Sequence, residues 1–553
     1  MSQYYSNQGA PPQQPYYQQQ QQPQWGQQQQ YPPPNYPQYN QQQQPPKQEH
    51  YNSQDYGPQQ GYTAYNNAPP PVQMDYAGKP QGEGPNFTDR FKVQKPKIND
   101  PIFIVIFLGV LAGFIAVAAI SLKAYTGSRS FQGGSIYGSQ NDFSLNTNTI
   151  ILLGFVAVVA VVLAVLYYTL ARMFTKQFII ITIICNLILA FGTAIFYLVE
   201  KYYSAGVVFL VFACFSAFCY WTMRHRIPFA TVVLQTIIDV TRQHPSVLLV
   251  STLGALISGA FAVFFSVVLV SIYVKWAPNE NNPECANGGC SQGKLVGLIV
   301  YVTFAGYYIT EVIKNVIHVT IAGVYGSWYY CSKSDQGMPK WPAMGAFKRA
   351  MTYSFGSISF GSLIVAIINF IRFVLNAARH ANQDNGGNMA ITALLCFAQC
   401  CIGILDWLVT YFNHYAYTFI ALYGKAYLPA AKDTWELVKK KGIDALVNDS
   451  LIGSVLTFGS TFIGYVSALL AFLYLKFTKP AYNESGGFYP VVIAYAFLIG
   501  TQIGNITTVS IHSGVSTFFV ALAKDPEVFQ MSYPDIFERI LQTYPQVRSK
   551  LNV

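Results

Sequence analysis

Three ionisable side chains stand in one of the most apolar regions of the sequence, within the segment TEVIKNVIHVT at residues 310–320. Polar residues spaced by three, one and three positions would share one face of a helix, and here they are Glu311, Lys314, Asn315 and His318. Charges at membrane depth are costly and usually mark a pathway or a pairing. Glu311 and Lys314 can pair, whereas Glu and His can exchange protons. The stripe therefore predicts either a substrate or proton pathway or a network that only fixes helix packing.

Further polar and aromatic groups interrupt the later apolar runs. Three polar residues join the candidate pathway: Arg372, Asp406 and Asn413. Three aromatic residues step by four positions and share a helical face: Trp407, Tyr411 and Tyr415. Aromatic rings around a cation recognise quaternary ammonium groups, although Tyr and Trp also belong to the aromatic belts of membrane proteins. The pattern thus favours an organic-cation site or an interfacial belt.

The composition identifies the class of protein. The chain has 553 residues, of which 52% are hydrophobic and only 10% are charged, whereas soluble domains carry about 25% charged residues. A polytopic membrane protein in a lipid bilayer is predicted, so the net charge of +10 reflects topology and not a nucleic-acid partner. Because nucleotide-binding, metalloprotease and nucleophile-elbow motifs are absent from the sequence, we expect no enzyme, no cofactor and no metal site.

The apolar runs predict an all-α fold of about ten transmembrane helices, since each span needs about 20 residues. The runs are 102–122, 149–171, 178–198, 204–223, 247–273, 295–327, 355–376, 389–424, 451–475 and 490–522. The predicted organisation is a disordered Gln/Tyr/Pro-rich tail (1–75), a basic juxtamembrane segment (76–101), a ten-helix transporter domain (102–523) and a C-terminal tail (524–553). Segments 227–243 and 341–357 look amphipathic and predict interfacial helices.

The distribution of basic residues predicts the orientation. Ten spans place both termini on one side, and that side with its loops holds 24 of the 34 Lys and Arg residues. The positive-inside rule makes it cytoplasmic. Cys285 and Cys290 then lie in an outer loop, where a disulfide is permitted, and Asn483 becomes the credible glycosylation acceptor.

The N-terminal tail carries a candidate partner motif. Its Gln, Tyr, Pro and Asn composition cannot bury a core. Pro33, Pro34 and Tyr36 match the PPxY pattern that WW domains bind in polyproline II conformation. A WW-domain ubiquitin ligase is therefore a candidate partner, although chance occurrence in a Pro/Tyr-rich tail explains the match equally well.

Several segments resemble a known family. The stretch NHYAYTFIALYG (413–424) is similar to the N-x-x-A-Y-x-x-I-A-x-Y-G signature of the choline transporter-like family, solute carrier family 44. Segments 349–371 and 513–529 resemble its seventh span and its C-terminal pattern, and Asn315 and His318 match its sixth-span pattern. The resemblance extends over roughly residues 100–540, and the tail is similar to that of the fungal branch. It implies ten spans, cytoplasmic termini, a plasma-membrane location and transport of choline or related amines, with proton exchange in some members.

Two functional hypotheses stand beside each other. The first is a secondary transporter for a small organic cation or polar solute, with the polar stripe and the aromatic face at a central site. The second is a non-transporting scaffold or sensor that acts through its tail. A channel and a lipid head-group enzyme are less favoured, because the sequence shows neither a repeated filter segment nor an interfacial catalytic constellation.

Overall fold

A computed structural model describes residues 73–74, 80–81, 97–127, 147–276, 278, 290–335, 337–384, 388–441, 444–478, 489–543 and 545. The chain divides into the segments Met1–Lys92 and Val93–Val553. In the first, the described residues form the strands β1 (Gln73–Met74) and β2 (Pro80–Gln81), which pair antiparallel.

The second segment is helical throughout its described length apart from short connections. Its helices are α1 (Pro101–Gly127), α2 (Thr147–Met173), α3 (Thr175–Val199), α4 (Tyr203–Met223), α5 (Ile227–Gln243), α6 (Ser246–Trp276), α7 (Gln292–Cys331), α8 (Pro342–Met351), α9 (Phe355–Asp384), α10 (Met389–Tyr423), α11 (Tyr427–Lys441), α12 (Asp444–Thr478), α13 (Tyr489–Lys524), α14 (Pro526–Ser532) and α15 (Pro534–Thr543).

Ten stretches of the described chain are long and apolar enough to cross a membrane, which confirms the predicted all-α polytopic fold. They correspond to α1, α2, α3, α4, α6, α7, α9, α10, α12 and α13, the fourth continuing through α5 as far as Gln243. Helices form here because the hydrocarbon core offers no water to the backbone, so each N–H and C=O must bond within its own segment.

The two helices that carry most of the predicted site residues have well-defined ends. The side chain of Ser291 accepts a hydrogen bond from the backbone N–H of Lys294 and caps α7. Asn388 caps α10 in the same way, through Ala390 N–H. Gly424, in the left-handed conformation with φ 61°, ends α10. The central helix α7 packs against α6, α9, α10 and α13.

Small residues allow close helix approach between α12 and α13, as glycine and serine do in membrane bundles. A Cβ atom added to Gly504 would lie 2.6 Å from Cα of Ser460, and one added to Gly500 would lie 2.9 Å from Cα of Gly464. Glycine is therefore required at both positions for the observed helix separation.

The start of α1 and the ends of α7, α10 and α13 lie on one side of the bundle. We call this side the terminal face; the basic residues predict that it faces the cytosol. The backbone N–H of Asn99 donates to Tyr353 O (3.0 Å) and its side-chain amide to Gly424 O (2.7 Å). The Asp100 carboxylate accepts from Ser357 Oγ (2.6 Å) and from Tyr427 N–H (2.8 Å). The chain entering α1 is thus fastened to α9 and to the connection between α10 and α11.

A second cluster on the terminal face joins the ends of α7, α10 and α13. The Asp525 carboxylate accepts from Tyr330 OH (2.6 Å) and Tyr423 OH (2.9 Å), and these two hydroxyls lie 2.8 Å apart. Tyr329 OH donates to the backbone oxygen of Asp525 at 3.0 Å. We call this the Asp525 latch, made of Asp525, Tyr329, Tyr330 and Tyr423.

The amphipathic segments differ from one another. The segment 227–243 forms α5 as a helix, but most of its residues are buried within the protein, so the interfacial interpretation is wrong for it. Its Asp239 accepts from Arg172 of α2 through two bonds of 2.7 and 2.8 Å. The segment 341–357 forms the shorter helix α8, which ends at Met351 before α9 begins.

The C-terminal segment 524–553 contains two short helices packed on the bundle. Phe529 of α14 and Phe537 and Ile540 of α15 are almost wholly buried. The ring of Phe529 lies parallel to that of Tyr329, with centroids 5.5 Å apart. The described part of the predicted C-terminal tail is therefore docked onto the end of α7.

Candidate functional site

His318 lies at a contact of three membrane helices. Its Nδ1 is 2.8 Å from Ser513 Oγ of α13, and its Nε2 is 3.0 Å from the backbone oxygen of His414 in α10. Because a carbonyl oxygen can only accept, Nε2 must carry the hydrogen, and Nδ1 of the neutral ring then accepts from Ser513. Thr418 Oγ1 lies 3.3 Å from Nε2. His318 is thus buried and fully engaged by polar partners.

Three imidazole rings, one from each of these helices, form a row at this contact. The centroids of His318 and His414 are 4.0 Å apart, with the ring planes inclined by 27°, and His414 lies 4.4 Å from His512 of α13. Among the described residues, Nε2 of His414 is buried with no hydrogen-bond partner. We call His318, His414 and His512 the histidine row. Because most buried polar side-chain atoms have a partner, this nitrogen is a candidate for a functional role.

Asn315, one turn before His318, binds helix α9. Its amide nitrogen donates to Ser362 Oγ at 2.9 Å and to Tyr417 OH at 3.3 Å. Tyr417 OH in turn lies 3.3 Å from the backbone oxygen of Ile358. Asn315 and Tyr417 are both buried, so α7, α9 and α10 are joined by a layer of hydrogen bonds beside the histidine row.

Asn413 extends this layer toward the terminal face. Its amide nitrogen donates to the backbone oxygen of Gly361 at 3.1 Å, and its carbonyl oxygen accepts from the hydroxyl of Tyr427. Burial raises the pKa of the Tyr427 phenol to about 12, so this hydroxyl remains a donor at physiological pH. A Cβ atom on Gly361 would lie 2.4 Å from Tyr417 OH, and glycine is required there for the layer to close.

The predicted charges form two ion pairs. Lys314 Nζ lies 3.5 Å from Glu311 Oε1 within α7, where Glu311 is 14% and Lys314 57% exposed. Arg372 Nη2 of α9 lies 3.0 Å from Asp406 Oδ2 of α10. The polar stripe is therefore divided: Asn315 and His318 are buried among neighbouring helices, whereas Lys314 is exposed.

The predicted aromatic face is a continuous row of rings along α10. Trp407 and Tyr411 stack with centroids 6.3 Å apart, and Tyr411 and Tyr415 are 5.0 Å apart. Trp407 is 60% exposed and Tyr415 only 1%, so the row leads from the surface into the bundle. Tyr415 then meets His414 edge to face at 6.1 Å. The aromatic row, Trp407, Tyr411 and Tyr415, ends at the histidine row.

The predicted partner motif, one cysteine of the predicted disulfide and the predicted glycosylation site belong to segments that the structure does not describe. Pro33, Pro34, Tyr36, Cys285 and Asn483 lie outside the described residues, so the partner motif and the glycosylation site remain predictions. Cys290 is disulfide-bonded, and its pairing with Cys285 also remains a prediction.

Sequence reasoning missed the hydroxyl partners of the site: Ser362, Tyr417, Thr418, Tyr427 and Ser513. It also missed His512, whose segment SIHSGVST (510–517) has polar side chains at five of its eight positions within an otherwise apolar helix. That density of Ser, Thr and His was an available signal for a polar helix face.

The sequence is similar to a family model and to fungal proteins that share one name. Residues 207–527 match a family model described as plasma-membrane choline transporter. Protein PNS1 of Yarrowia lipolytica is 57% identical over 486 residues, which cover 88% of this chain and 85% of that protein. Protein PNS1 of Candida albicans is 53% identical, covering 84% and 90%, and that of Saccharomyces cerevisiae is 51% identical, covering 86% and 89%.

Proposed function

The chain belongs to the choline transporter-like family, and on that premise we propose that it is a secondary transporter of a small organic cation of the choline type, coupled to protons. The observation that carries this proposal is the contact between the aromatic row and the histidine row. A transporter needs a route from the surface to an interior site, and this contact supplies residues for both.

The aromatic row suits a quaternary ammonium. A cation over the faces of Trp and Tyr is attracted by their ring quadrupoles, and the attraction is stronger where water is excluded. Trp407 is exposed while Tyr415 is buried, so successive rings would replace the hydration of the cation stepwise. The carboxylate of Asp406 precedes Trp407 in sequence and lies 3.0 Å from Arg372, which leaves the aromatic rings as the principal cation partners.

The histidine row suits proton coupling. Ser513 donates to Nδ1 of neutral His318, but a hydroxyl can also accept. Protonation of Nδ1 would therefore require only rotation of the Ser513 hydroxyl, while the bond from Nε2 to the His414 carbonyl persists. The buried Nε2 of His414 offers a second position for a proton. Histidine is the side chain whose charge changes near physiological pH.

We further propose that the protein lies in the plasma membrane with its terminal face toward the cytosol. The excess of Lys and Arg in the tails and loops on that side supports this orientation. The tail motif Pro33, Pro34 and Tyr36 would then be available to a WW-domain ubiquitin ligase. Binding of a peptide spanning residues 28–41 to isolated WW domains, with Tyr36→Ala as the control peptide, tests that partnership.

Uptake into vesicles tests the transport proposal. Purified protein in liposomes should accumulate radiolabelled choline above protein-free liposomes, and faster when a pH gradient is imposed. Tyr411→Ala should reduce uptake by about tenfold, the effect of losing one desolvated cation–π contact. Phe212→Ala, at a 63% exposed aromatic of α4, is the matched control and should leave uptake unchanged. Absence of uptake for choline and for ethanolamine derivatives would refute the proposal in favour of a scaffold or sensor.

A further inference from the structure

Helix α11 presents two chemically different faces on the terminal side of the bundle. Tyr427, Ala430 and Thr434 are buried, and the ring of Tyr427 lies 4.7 Å from that of Phe360 of α9. The opposite face carries exposed residues at spacings of four, three and four, namely Leu428, Lys432, Trp435 and Lys439. These spacings place them on one line along the helix. We call this line the α11 ridge.

The composition of the α11 ridge is typical of a helix at a membrane interface. Leu428 is 65% exposed and Trp435 62% exposed, although both are large apolar residues. An exposed lysine stands four positions after each of them, one helical turn further along. Trp is enriched at the head-group level of bilayers, and Lys can bury its aliphatic stem while its ammonium group reaches the head groups. An amphipathic helix with basic residues beside apolar ones lies in this zone.

The location of α11 agrees with its composition. The helix begins four residues after the spanning helix α10 ends at Tyr423. Its first backbone N–H donates to Asp100, the residue that precedes spanning helix α1. The first turn of α11 is therefore held at the level where two spanning helices end, which is the depth of the lipid head groups.

The charge of α11 selects the lipid. The sequence YLPAAKDTWELVKKK contains four lysines and two carboxylates. One carboxylate, Asp433, forms an ion pair with Lys425, which precedes the helix. The other, Glu436, is half-buried and lies four residues after Lys432 and three residues before Lys439. The excess of positive charge on an exposed apolar surface complements anionic head groups.

We propose that the α11 ridge is a binding surface for anionic phospholipid head groups in the leaflet at the terminal face. The same helix carries Tyr427, whose hydroxyl donates to Asn413 in the polar layer beside the histidine row. Occupancy of the ridge thus bears on a helix that is hydrogen-bonded directly to the candidate site.

Fluorescence quenching of Trp435 tests the surface without reference to transport. Full-length protein is placed in phosphatidylcholine vesicles of two kinds, each with the same lipid composition in both leaflets. In one kind a fixed fraction of the lipid is brominated phosphatidylserine, and in the other the same fraction is brominated phosphatidylcholine. The contribution of Trp435 is the difference between the wild type and Trp435→Phe. We expect brominated phosphatidylserine to quench this contribution more strongly, and added salt to reduce the excess.

Two charge-matched variants decide the outcome. The excess quenching should be lost in Lys432→Gln/Lys439→Gln and kept in Lys201→Gln/Lys476→Gln, whose lysines are exposed at the ends of spans on the opposite face. Equal quenching by the two lipids, or an excess that survives in the first variant, would overturn the proposal. Absence of quenching by either lipid would show that Trp435 faces water or a protein partner, and would overturn it as well.

Discussion

The imidazole rings of His318 and His414 lie nearly face to face, with centroids 4.0 Å apart and planes inclined by 27°. Two imidazolium cations at that separation would repel each other strongly in a medium of low dielectric constant. The pair can therefore hold one proton far more easily than two, and its titration belongs to the pair as a unit. This coupling makes the histidine row the first place to test.

Replacing His318 should separate folding from proton coupling. In His318→Gln the side-chain amide can still donate to the His414 carbonyl, so we expect thermal unfolding close to that of the wild type. Choline uptake should lose its response to an imposed pH gradient, because the titratable nitrogen is gone. His318→Ala removes the bonds of the ring to Ser513 and to the His414 carbonyl and leaves the buried Ser513 hydroxyl without this partner, which should cost about 1–3 kcal/mol of stability. A gradient response that persists in His318→Gln would contradict the role of this ring.

The pair Arg372–Asp406 should behave as a unit. Asp406→Asn leaves the Arg372 guanidinium at membrane depth without its carboxylate, and Arg372→Gln does the converse. We expect each single variant to lose about 2 kcal/mol of stability. The double variant Arg372→Gln/Asp406→Asn should be more stable than either single one, measured by thermal unfolding in detergent. Additive losses would mean that the two residues act independently.

Gly361 should not tolerate a methyl group. In Gly361→Ala the new Cβ would lie 2.4 Å from Tyr417 OH and 2.5 Å from Cε2 of Tyr427, so α9 must move away from α10. Such overpacking costs about 1–3 kcal/mol. Gly109→Ala is the matched control, because no atom beyond the neighbouring backbone of its own helix lies within 4 Å of its added Cβ, and it should unfold at or above the wild-type temperature. Similar midpoints for both variants would refute the close contact at Gly361.

Tyr427→Phe removes one hydrogen bond and should show a defined pH dependence. The Asn413 carbonyl oxygen loses its donor from Tyr427, at a cost of about 1 kcal/mol. The pKa of Tyr427 is raised from its ordinary value of 10 to about 12 in the folded protein. The phenol is therefore protonated in both the folded and the unfolded chain well below pH 10, and the stability difference between wild type and variant should be constant between pH 6.5 and 9. It should shrink as the pH rises from 10 toward 12, because the unfolded phenol ionises first. Urea or thermal unfolding at four pH values measures this.

The disulfide of Cys290 reports which face is outside. A membrane-impermeant reductant added to intact cells should open this bond, and mass spectrometry of alkylated peptides should then detect labelled Cys290. A glycan on Asn483, removed by glycosidase and abolished in Asn483→Gln, should appear on the same side. Reduction that requires permeabilised cells would reverse the proposed orientation.

The ten spans follow from the sequence because a bilayer permits few alternatives to an apolar helix. The partners within the bundle do not follow in the same way. Thr320 satisfies its hydroxyl on the Val316 carbonyl of its own helix at 2.7 Å, whereas Ser513 engages His318 of another helix. Both are hydroxyl residues of spanning helices, and whether such a side chain bonds within its own helix or to a neighbouring helix depends on how α7 packs on α13.

The spacing of residues along a helix also does not determine whether lipid, water or another helix contacts a given face. Spacing correctly grouped Asn315 with His318, but Lys314 from the same stripe is 57% exposed, because neighbouring helices cover only part of that arc. In α5 the amphipathic pattern indicated an interfacial helix, yet protein covers most of it. A lipid-facing and a protein-facing apolar stripe have the same period.

The Asp525 latch implies an asymmetry in how readily the two depths of the bundle can rearrange. Its bonds from Tyr330 and Tyr423 to the Asp525 carboxylate join groups that are only partly buried, so water can replace a broken bond at a smaller cost in free energy than at a fully buried site. The side chain of His318 is buried, so breaking its bonds to Ser513 and to the His414 carbonyl leaves the imidazole nitrogens without a partner. Thermal fluctuations should therefore break the bonds of the Asp525 latch more often than the bonds of His318.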